Sequence, residues 1–216
     1  FLDSDDLWLP WSLATYQQAI QRFKSPAVIL GTPIFFTEEQ EIQHVKRDPF
    51  VAQVHADFLA TSDRFTWFSG SSIIIRKDVL DAAGGVTTAR INADDFDLLL
   101  RVGSASPLIH VTAPSTVAYR RHVASAMGNI SWCHESLSHV IRQEFSNRYP
   151  GGKSRQAERR RMIAFHGRAT SVRCAQQGRA DLGWDLYKQL FSWHCRALRW
   201  KYLLGFPLLL GRRRAH

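Results

Sequence analysis

Three aspartates near the start of the chain are the first residues whose types and spacing could do chemistry. Asp3, Asp5 and Asp6 lie within four positions, directly after Phe1-Leu2, which we interpret as the end of a strand. Carboxylates this close together repel one another, so a hard divalent cation is their natural partner, and that cation can in turn hold a diphosphate. The alternative is a polar loop or a helix N-terminus, where aspartate is favoured without any ligand.

A second acidic cluster consists of Asp94, Asp95 and Asp97. It stands at the start of a helix that apolar residues at helical spacing predict over residues 95–102. A carboxylate at a partly buried helix start can act as a general base, taking the proton of a hydroxyl group as that hydroxyl attacks. Negative charge is also favoured at a helix N-terminus for purely structural reasons, so the cluster alone leaves both interpretations open.

The third candidate segment is Tyr119-Arg120-Arg121-His122. A neutral imidazole at His122 can complete a metal site begun by carboxylates, and the guanidinium groups of Arg120 and Arg121 can pair with phosphate oxygens. Nine histidines are scattered along the chain, so an isolated histidine would be weak evidence. The co-occurrence of the three segments is what favours a functional site.

These candidate residues are spread over a stretch in which strands and helices alternate. The first helix is predicted over residues 10–23, and its apolar face is formed by Leu13, Tyr16, Ile20 and Phe23. The other elements expected are a strand at 27–30 with 33–36 as its continuation, a loop and strand at 67–75, a helix at 76–83 and a β-rich segment at 108–119. Gly84-Gly85 should end the helix before it. This alternation predicts an α/β fold.

The end of the chain has a different character. Residues 1–132 hold 11 Lys and Arg against 14 Asp and Glu, whereas residues 133–216 hold 17 against 5. The pattern also becomes helical from about residue 131. We therefore predict an α/β domain over residues 1–130, followed by a basic, mainly α-helical tail over residues 131–216.

The tail mixes aromatic and leucine residues with cations between Trp184 and Leu210, and it carries the runs Arg159-Arg160-Arg161 and Arg212-Arg213-Arg214. Such helices can lie in a membrane interface with their cations toward anionic lipid. The alternative is an apolar face that packs on the rest of the protein. Gly205-Phe206-Pro207 should interrupt the last helix, which leaves it too short to span a bilayer.

Composition narrows the class of protein. The chain has 216 residues, of which 45% are hydrophobic and 22% charged, and its formal net charge is +9. These values are typical of a globular protein and exclude wholesale disorder. Three widely spaced cysteines support neither a disulfide framework nor a zinc site and favour a reducing compartment. The excess positive charge indicates an acidic partner, either an anionic membrane or a nucleic acid.

The order of the motifs resembles that of family 2 glycosyltransferases with the GT-A fold. The matching segments are FLDSDDLWLP, FSGSSIIIRKDVLDAAGG, ADDFDLLLRVG and YRRHVASAMGN. The resemblance implies a nucleotide-sugar transferase domain that is incomplete at its N-terminus, because in that fold a nucleotide-binding half precedes the DxD motif. On this interpretation the chain is the C-terminal portion of a transferase that uses Mn²⁺ or Mg²⁺.

The resemblance also implies roles for individual residues. Asp3 and Asp5 would hold the metal ion and the donor diphosphate, and His122 would lie near both. Asp95 would be the base that deprotonates the acceptor. Four further residues would support these groups: Asp6, Asp94, Arg120 and Arg121. Asp94 stands where the family usually has Glu, which keeps the carboxylate but shortens its reach by one methylene.

Gly70 and Ser71 would lie beside the sugar or the acceptor according to the same resemblance. A tight turn before a buried strand is an equally good interpretation of this pair, since glycine is favoured wherever the backbone turns sharply. Both interpretations of Gly70 and Ser71, a contact with sugar or acceptor and a tight turn, therefore stay open.

The activity implied is a single inverting displacement that moves a sugar from a nucleotide-sugar donor to a hydroxyl of a glycan or lipid-linked acceptor, as in bacterial surface polysaccharide synthesis. The expected location is cytoplasmic, with peripheral attachment to the inner face of the cell membrane through the tail. Two alternatives stay open. One is a metal-dependent nucleotidyltransferase, although no Gly-rich basic phosphate loop is visible. The other is a basic module that binds membrane or nucleic acid without catalysis; no recognisable nucleic-acid motif supports that partner.

Overall fold

The structure, a computed structural model, describes residues 2–64, 68–122 and 128–214, with side chains as far as residue 210. Phe1, Trp67 and residues 123–127 of the fourth motif therefore lie outside the described residues, as do the side chains of Arg212-Arg213-Arg214. The described chain is a mixed α/β protein with small mixed sheets and a helical C-terminal region.

The chain divides into two compact units. The first comprises residues 1–88 and 94–125, and the second comprises residues 89–93 and 126–216. The second unit thus begins close to the boundary between residues 130 and 131 that the sequence predicts, and it also takes in one short segment from the middle of the chain.

The strands of the first unit are short and form two mixed sheets. They are β1 (Leu7–Trp8), β2 (Val28–Leu30), β3 (Pro33–Phe36), β4 (Val51–His55), β5 (Ile73–Ile75), β6 (Leu108–Ala113) and β7 (Val117–Arg120). One sheet has the order β4-β6-β2-β5 and the other has the order β1-β7-β3. In the first sheet β2 pairs in parallel with β6 and antiparallel with β5. All three β2 residues are buried, as expected of a central strand covered on both faces.

The expectation that Pro33–Phe36 continues β2 is wrong, because β3 lies in the other sheet, parallel to β7. The chain passes between the sheets at Gly31. A Cβ atom at Gly31 would lie 2.1 Å from Oγ1 of Thr116, so the close approach of the segment before β7 leaves room only for glycine.

Helix α1 spans Ser12–Arg22 and buries a different face from the one predicted. Leu13 and Ile20 are exposed, whereas Ser12, Thr15, Tyr16 and Ala19 are buried. Two of the buried hydroxyl groups have hydrogen-bond partners: the Ser12 hydroxyl is shared between the carbonyl oxygens of Leu9 and Thr116, and Tyr16 donates to Oγ1 of Thr116 at 2.8 Å. The Thr15 hydroxyl has no partner among the described residues. The helix is therefore docked by polar contacts that hydrophobic periodicity does not reveal.

Helices α2 (Lys77–Ala82) and α3 (Asp94–Arg101) form where the sequence predicts them. Gly84 and Gly85 end α2 with φ angles of +79° and +74°, which favour glycine. Arg101 connects the two helices, since its guanidinium group pairs with buried Asp97 at 2.8 Å and donates to the carbonyl oxygens of Ala83 and Gly85. Asp97 therefore has a structural role.

The second unit is built from α4 (Ile130–Phe145), α5 (Gln156–Gln176), α6 (Ala180–Arg196) and α7 (Trp200–Arg214). Arg159 of the predicted basic run is 1% exposed and pairs with buried Glu144 at 2.6 Å. It also donates to the carbonyl oxygens of Pro150 and Gly152. The Arg159 side chain thus connects the loop between α4 and α5 with Glu144 of α4. Because it is buried, it does not contribute to a basic surface.

The predicted interruption of the last helix at Gly205-Phe206-Pro207 is wrong, because α7 continues through Pro207. Proline has no N–H to donate to the carbonyl four residues earlier, that of Leu203. The Tyr187 hydroxyl of α6 donates to that carbonyl at 2.8 Å. A side chain from the neighbouring helix thus replaces the missing backbone hydrogen bond. Among the described residues, no helix combines the length and the apolar character needed to cross a membrane.

We predict that Tyr187→Phe destabilises the chain by about 1–2 kcal/mol, because it leaves the buried Leu203 carbonyl without a donor. In a Pro207→Ala background, residue 207 regains an N–H that can reach Leu203, so the same Tyr187→Phe change should cost much less. Urea unfolding of the four chains of this double-mutant cycle measures the coupling. Equal costs in both backgrounds would show that the tyrosine does not substitute for the backbone donor.

Candidate active site

The first acidic segment forms a turn that is tied to the start of β5. The Asp6 N–H donates to the Asp3 carbonyl at 3.2 Å, which closes the turn before β1. The Asp3 N–H donates to Oγ of Ser71 at 3.0 Å, and the indole N–H of Trp8 donates to the Ser71 carbonyl at 2.9 Å. Leu2 lies in no strand, so the aspartates precede a strand instead of following one. Their position is set by backbone contacts from both sides of the turn.

Asp5 forms a pair with His122. Oδ2 of Asp5 lies 2.8 Å from Nε2 of His122, and the two side chains are 45% and 34% exposed. The hydrogen bond from His122 is the main reason that the pKa of Asp5 lies below its usual value, and the charge of Arg120 acts in the same direction. Two of the three predicted metal ligands are therefore in contact and accessible to solvent.

Arg120 stabilises the acidic turn by hydrogen bonds. Its backbone N–H donates to Oδ1 of Asp6 at 3.1 Å, its Nε donates to the Asp5 carbonyl at 3.2 Å, and its Nη2 pairs with Glu39 at 2.9 Å. The guanidinium group of Arg121 stacks on Phe35, with 4.0 Å between Cζ and the ring centroid. Arg120 thus contacts the acidic turn, whereas the described contacts of Arg121 are with Phe35 and Phe36.

The second acidic cluster begins α3. Asp94 is exposed and Asp95 is half-buried, and Oδ1 of Asp95 accepts the Phe96 N–H at 2.6 Å. Burial raises the pKa of Asp95 to about 7, and the negative charges of Asp94 and Asp3 add to the effect. A carboxyl group with this pKa is divided between its acid and base forms near neutral pH.

Asp3 connects the two acidic clusters. Burial raises the pKa of Asp3, and the charges of Asp5 and Asp94 raise it further, while the Ser71 hydroxyl opposes them. Burial also raises the pKa of Asp6. The fold therefore brings segments about 90 positions apart into one negatively charged neighbourhood, although like charges repel.

Gly70 and Ser71 lie directly against this neighbourhood. A Cβ atom at Gly70 would be 3.6 Å from Oδ1 of Asp3. Ser71 is fully buried and its hydroxyl accepts the Asp3 N–H. The pair belongs to a short 3₁₀ turn, Gly70–Ser72, that leads into β5. Ser71 thus holds the aspartate turn in place, as the tight-turn interpretation of the pair expects.

The contacts also include residues that the sequence analysis missed. Glu39, which orients Arg120, lies in a polar stretch with no pattern that indicates a role. Trp8 donates to the Ser71 carbonyl. Its position two residues after Asp6 is the signal that could have identified it. No motif connects either residue with its partner, because the partners are 81 and 63 positions away in the chain.

The chemistry of the site depends on its excess of carboxylates. Within residues 2–64, 68–122 and 128–214, no three His, Cys, Asp or Glu side chains converge closely enough to form a complete metal site. Asp5 and His122 are in direct contact. Asp3, Asp94 and Asp95 are linked by the repulsion between their charges. The arrangement can attract a cation and can accept a proton through Asp95.

No family model, curated protein or solved structure matches this chain. The contacts and charges described above, together with the motif order, are therefore the basis for a functional assignment.

We predict that Asp95→Asn raises the free energy of unfolding at pH 7 and above. The folded state holds the pKa of Asp95 near 7, above its unfolded value of about 4, so stability is greatest while the group is protonated and falls as pH rises between these values. The variant should be more stable than the parent by on the order of 2–4 kcal/mol above pH 7 and equally stable near pH 4. Denaturant unfolding across this pH range measures the difference.

The control is Asp48→Asn, which removes one negative charge from an exposed position. It should leave the pH dependence of unfolding unchanged. If Asp95→Asn shows the same small effect as this control at every pH, Asp95 is not held in a protonated form by the fold.

Proposed function

We propose that this chain is the C-terminal portion of an inverting glycosyltransferase with a GT-A-type domain. The enzyme would transfer a sugar from a nucleotide-sugar donor to a hydroxyl of a glycan or lipid-linked acceptor, as in bacterial surface polysaccharide synthesis. The proposal draws on the order of the four motifs. It also draws on the proximity of the first two acidic segments.

One observation carries the proposal: a carboxyl group with a pKa near 7, Asp95, is coupled to Asp3 of the DxD segment. Transfer to a hydroxyl needs a base beside the place where the donor diphosphate is held. A general base works best when its pKa is close to the working pH. The coupling of Asp95 to Asp3 and its pKa near 7 support this role.

The reaction follows from these positions. The acceptor oxygen forms a bond to the anomeric carbon of the donor while Asp95 takes the hydroxyl proton. The bond between the anomeric carbon and the diphosphate oxygen breaks at the same time, and the nucleoside diphosphate leaves with the electron pair. This single displacement inverts the configuration at the anomeric carbon. The proton goes to Asp95, the sugar goes to the acceptor oxygen, and the nucleoside diphosphate is the leaving group.

Two carboxylates and an imidazole are side chains that can ligate a divalent cation, although Asp3, Asp5 and His122 do not converge on one point in the described structure. Asp3, Asp5 and His122 would hold Mn²⁺ or Mg²⁺, with Asp6 and Asp94 contributing negative charge nearby. Such an ion supplies positive charge that neutralises the departing diphosphate. Arg120 and Glu39 keep the Asp5 backbone in place whether or not an ion is bound.

The non-catalytic alternative, a basic binding module, treats the aspartates as helix and turn residues only. It does not account for the electrostatic coupling of Asp3 with Asp94 and Asp95, which opposes stability. The nucleotidyltransferase alternative would use the same carboxylates. The two enzymes differ in their products, so the products of donor cleavage distinguish them.

We predict metal-dependent cleavage of one nucleotide sugar by the longer transferase that the proposal implies. A panel of nucleotide sugars is incubated with Mn²⁺, with Mg²⁺ or with a chelator, and the release of nucleoside diphosphate is measured. Asp5→Ala should abolish release, and Asp95→Asn should reduce it by about 10²–10⁴-fold, the usual contribution of a general base. With the parent protein, the rate should fall about tenfold for each pH unit below about 7, because the protonated Asp95 cannot accept a proton.

Arg76→Gln is the matched control, since it removes an exposed charge from the start of α2 and should leave release unchanged. When pyrophosphate is added, conversion of the nucleotide sugar to nucleoside triphosphate and sugar 1-phosphate, instead of release of nucleoside diphosphate, would support the nucleotidyltransferase. If a folded protein neither binds nor cleaves any donor with either metal, the glycosyltransferase proposal is wrong.

We also propose that the second unit attaches to an anionic membrane surface through α7. Trp200, Leu204 and Leu208 repeat every four positions on α7 and are 54%, 69% and 67% exposed. Lys201 is exposed beside this stripe. Apolar side chains that face water next to a cation are typical of helices that lie in a membrane interface.

Leu204→Ser together with Leu208→Ser should weaken binding to vesicles of phosphatidylcholine and phosphatidylglycerol by about tenfold or more, since each substitution removes a side chain that the bilayer would bury. Vesicle sedimentation measures the affinity. Leu13→Ser, at an exposed leucine of the first unit, should have no effect. Equal binding by the parent protein and the double variant would show that α7 does not enter the interface.

A further inference from the structure

Two arginines of the second unit share one aromatic ring. The guanidinium carbons of Arg168 and Arg199 lie 5.3 Å and 5.8 Å from the ring centroid of Phe165. Arg168 and Phe165 belong to α5, and Arg199 directly precedes α7. Arg161 stands one helical turn before Phe165 on α5. Cations are attracted to an aromatic ring, but they also repel each other, so this arrangement concentrates positive charge.

The carboxylates of the second unit are largely occupied elsewhere. Four of them pair with other residues: Glu144 with Arg159, Glu158 with Arg155, Asp181 with Arg179 and Asp185 with His134. Within the described residues, neither Arg168 nor Arg199 donates to a carboxylate. The guanidinium groups of Arg168 and Arg199 therefore have no hydrogen-bonded carboxylate among the described residues.

Arg199 carries the clearest sign that a partner is required. Its Nη1 atom is buried and has no hydrogen-bond acceptor among the described residues. Burial, together with the charges of Arg168 and Arg161, lowers the pKa of Arg199. A buried donor without an acceptor is costly, and the cost is larger for a charged group. A bound anion would provide the acceptor and remove the repulsion.

His194 supplies no negative charge to this cluster. The side chain is fully buried, and neither ring nitrogen has a hydrogen-bond partner in the described part of the chain. Burial, followed by the charges of Arg199 and Arg168, lowers the pKa of His194 to about 4. The imidazole is therefore neutral at pH 7, and the charge of the cluster comes from arginine alone.

We propose that Arg168 and Arg199, with Arg161 nearby, form a binding site for a phosphate group. The planar guanidinium group matches phosphate oxygens with two parallel hydrogen bonds, and one phosphate has enough oxygens for more than one arginine. The phosphate belongs to a soluble phosphate ester or to a lipid headgroup, which present the same chemistry. The site lies wholly in the helical unit and is separate from the proposed transfer reaction.

The test measures the melting temperature of the full chain as inorganic phosphate is added, with chloride keeping the ionic strength constant. A ligand that binds the folded state raises the melting temperature as its concentration rises. The variant Arg168→Gln/Arg199→Gln should bind phosphate at least about tenfold more weakly, because charge-assisted hydrogen bonds are lost. Without phosphate it should melt at the same or a higher temperature than the parent, since it loses like-charge repulsion.

The control is Arg148→Gln/Lys153→Gln, which removes two exposed charges of the second unit outside α7 and should bind phosphate within about twofold of the parent, as expected for a general charge effect alone. The lipid arm compares the three proteins on phosphatidylcholine vesicles with and without phosphatidylglycerol.

A tenfold loss specific to Arg168→Gln/Arg199→Gln with inorganic phosphate supports a soluble ligand. The same specific loss only on phosphatidylglycerol vesicles supports a headgroup. If this variant and its control behave alike in both arms, the phosphate site does not exist.

Discussion

Repulsion between carboxylates is the force that the first unit has to overcome. Asp3 lies within the influence of Asp5 on one side and Asp94 on the other, and burial makes its charged form still less favourable. Besides the contacts of Arg120, two uncharged contacts hold the turn, namely the Asp3 N–H to Ser71 and the Trp8 indole to the Ser71 carbonyl. Backbone and indole donors keep their geometry at any protonation state, so the carboxylates stay together despite their repulsion.

The second unit is stabilised by polar groups that are buried and paired. Arg159 is enclosed by Glu144 and by two loop carbonyls, and the Tyr187 hydroxyl completes the hydrogen bonding of Leu203 in α7. Removal of one partner from such a contact would leave the other buried without a partner, which costs more than the contact itself contributes. Burial of this kind explains why part of a basic sequence does not produce a basic surface.

Local patterns predicted the elements that local interactions determine. The spacing of Phe96, Leu99 and Leu100 predicted α3, and Gly84-Gly85 predicted the end of α2. Long-range contacts explain the errors. The buried face of α1 depends on Thr116, about 100 positions away, and the continuity of α7 depends on Tyr187. Neither partner can be identified from spacing along the chain.

In the candidate site, too, the sequence predicts some features, and long-range contacts determine the others. Motif order predicts Asp3, Asp95 and His122 as candidate site residues, since acidic and imidazole groups are conspicuous in sequence. Their environments were not predictable, because the pKa of a carboxyl group depends on neighbours from distant segments. Glu39 was missed for the same reason: its role exists only through Arg120.

The pKa values of two carboxyl groups in the candidate site are shifted in opposite directions. The contact with His122 lowers the pKa of Asp5, so this exposed carboxylate remains charged near neutral pH and can attract a cation. Burial and the charges of Asp94 and Asp3 raise the pKa of Asp95 to about 7, so the same type of group can accept a proton there and release it again. Pairs of titratable groups whose environments separate their pKa values are characteristic of acid–base sites. A helix N-terminus needs only negative charge, and it would favour a lowered pKa at Asp95 instead of a raised one. The raised pKa of Asp95 is therefore a property that the helix N-terminus alone does not produce.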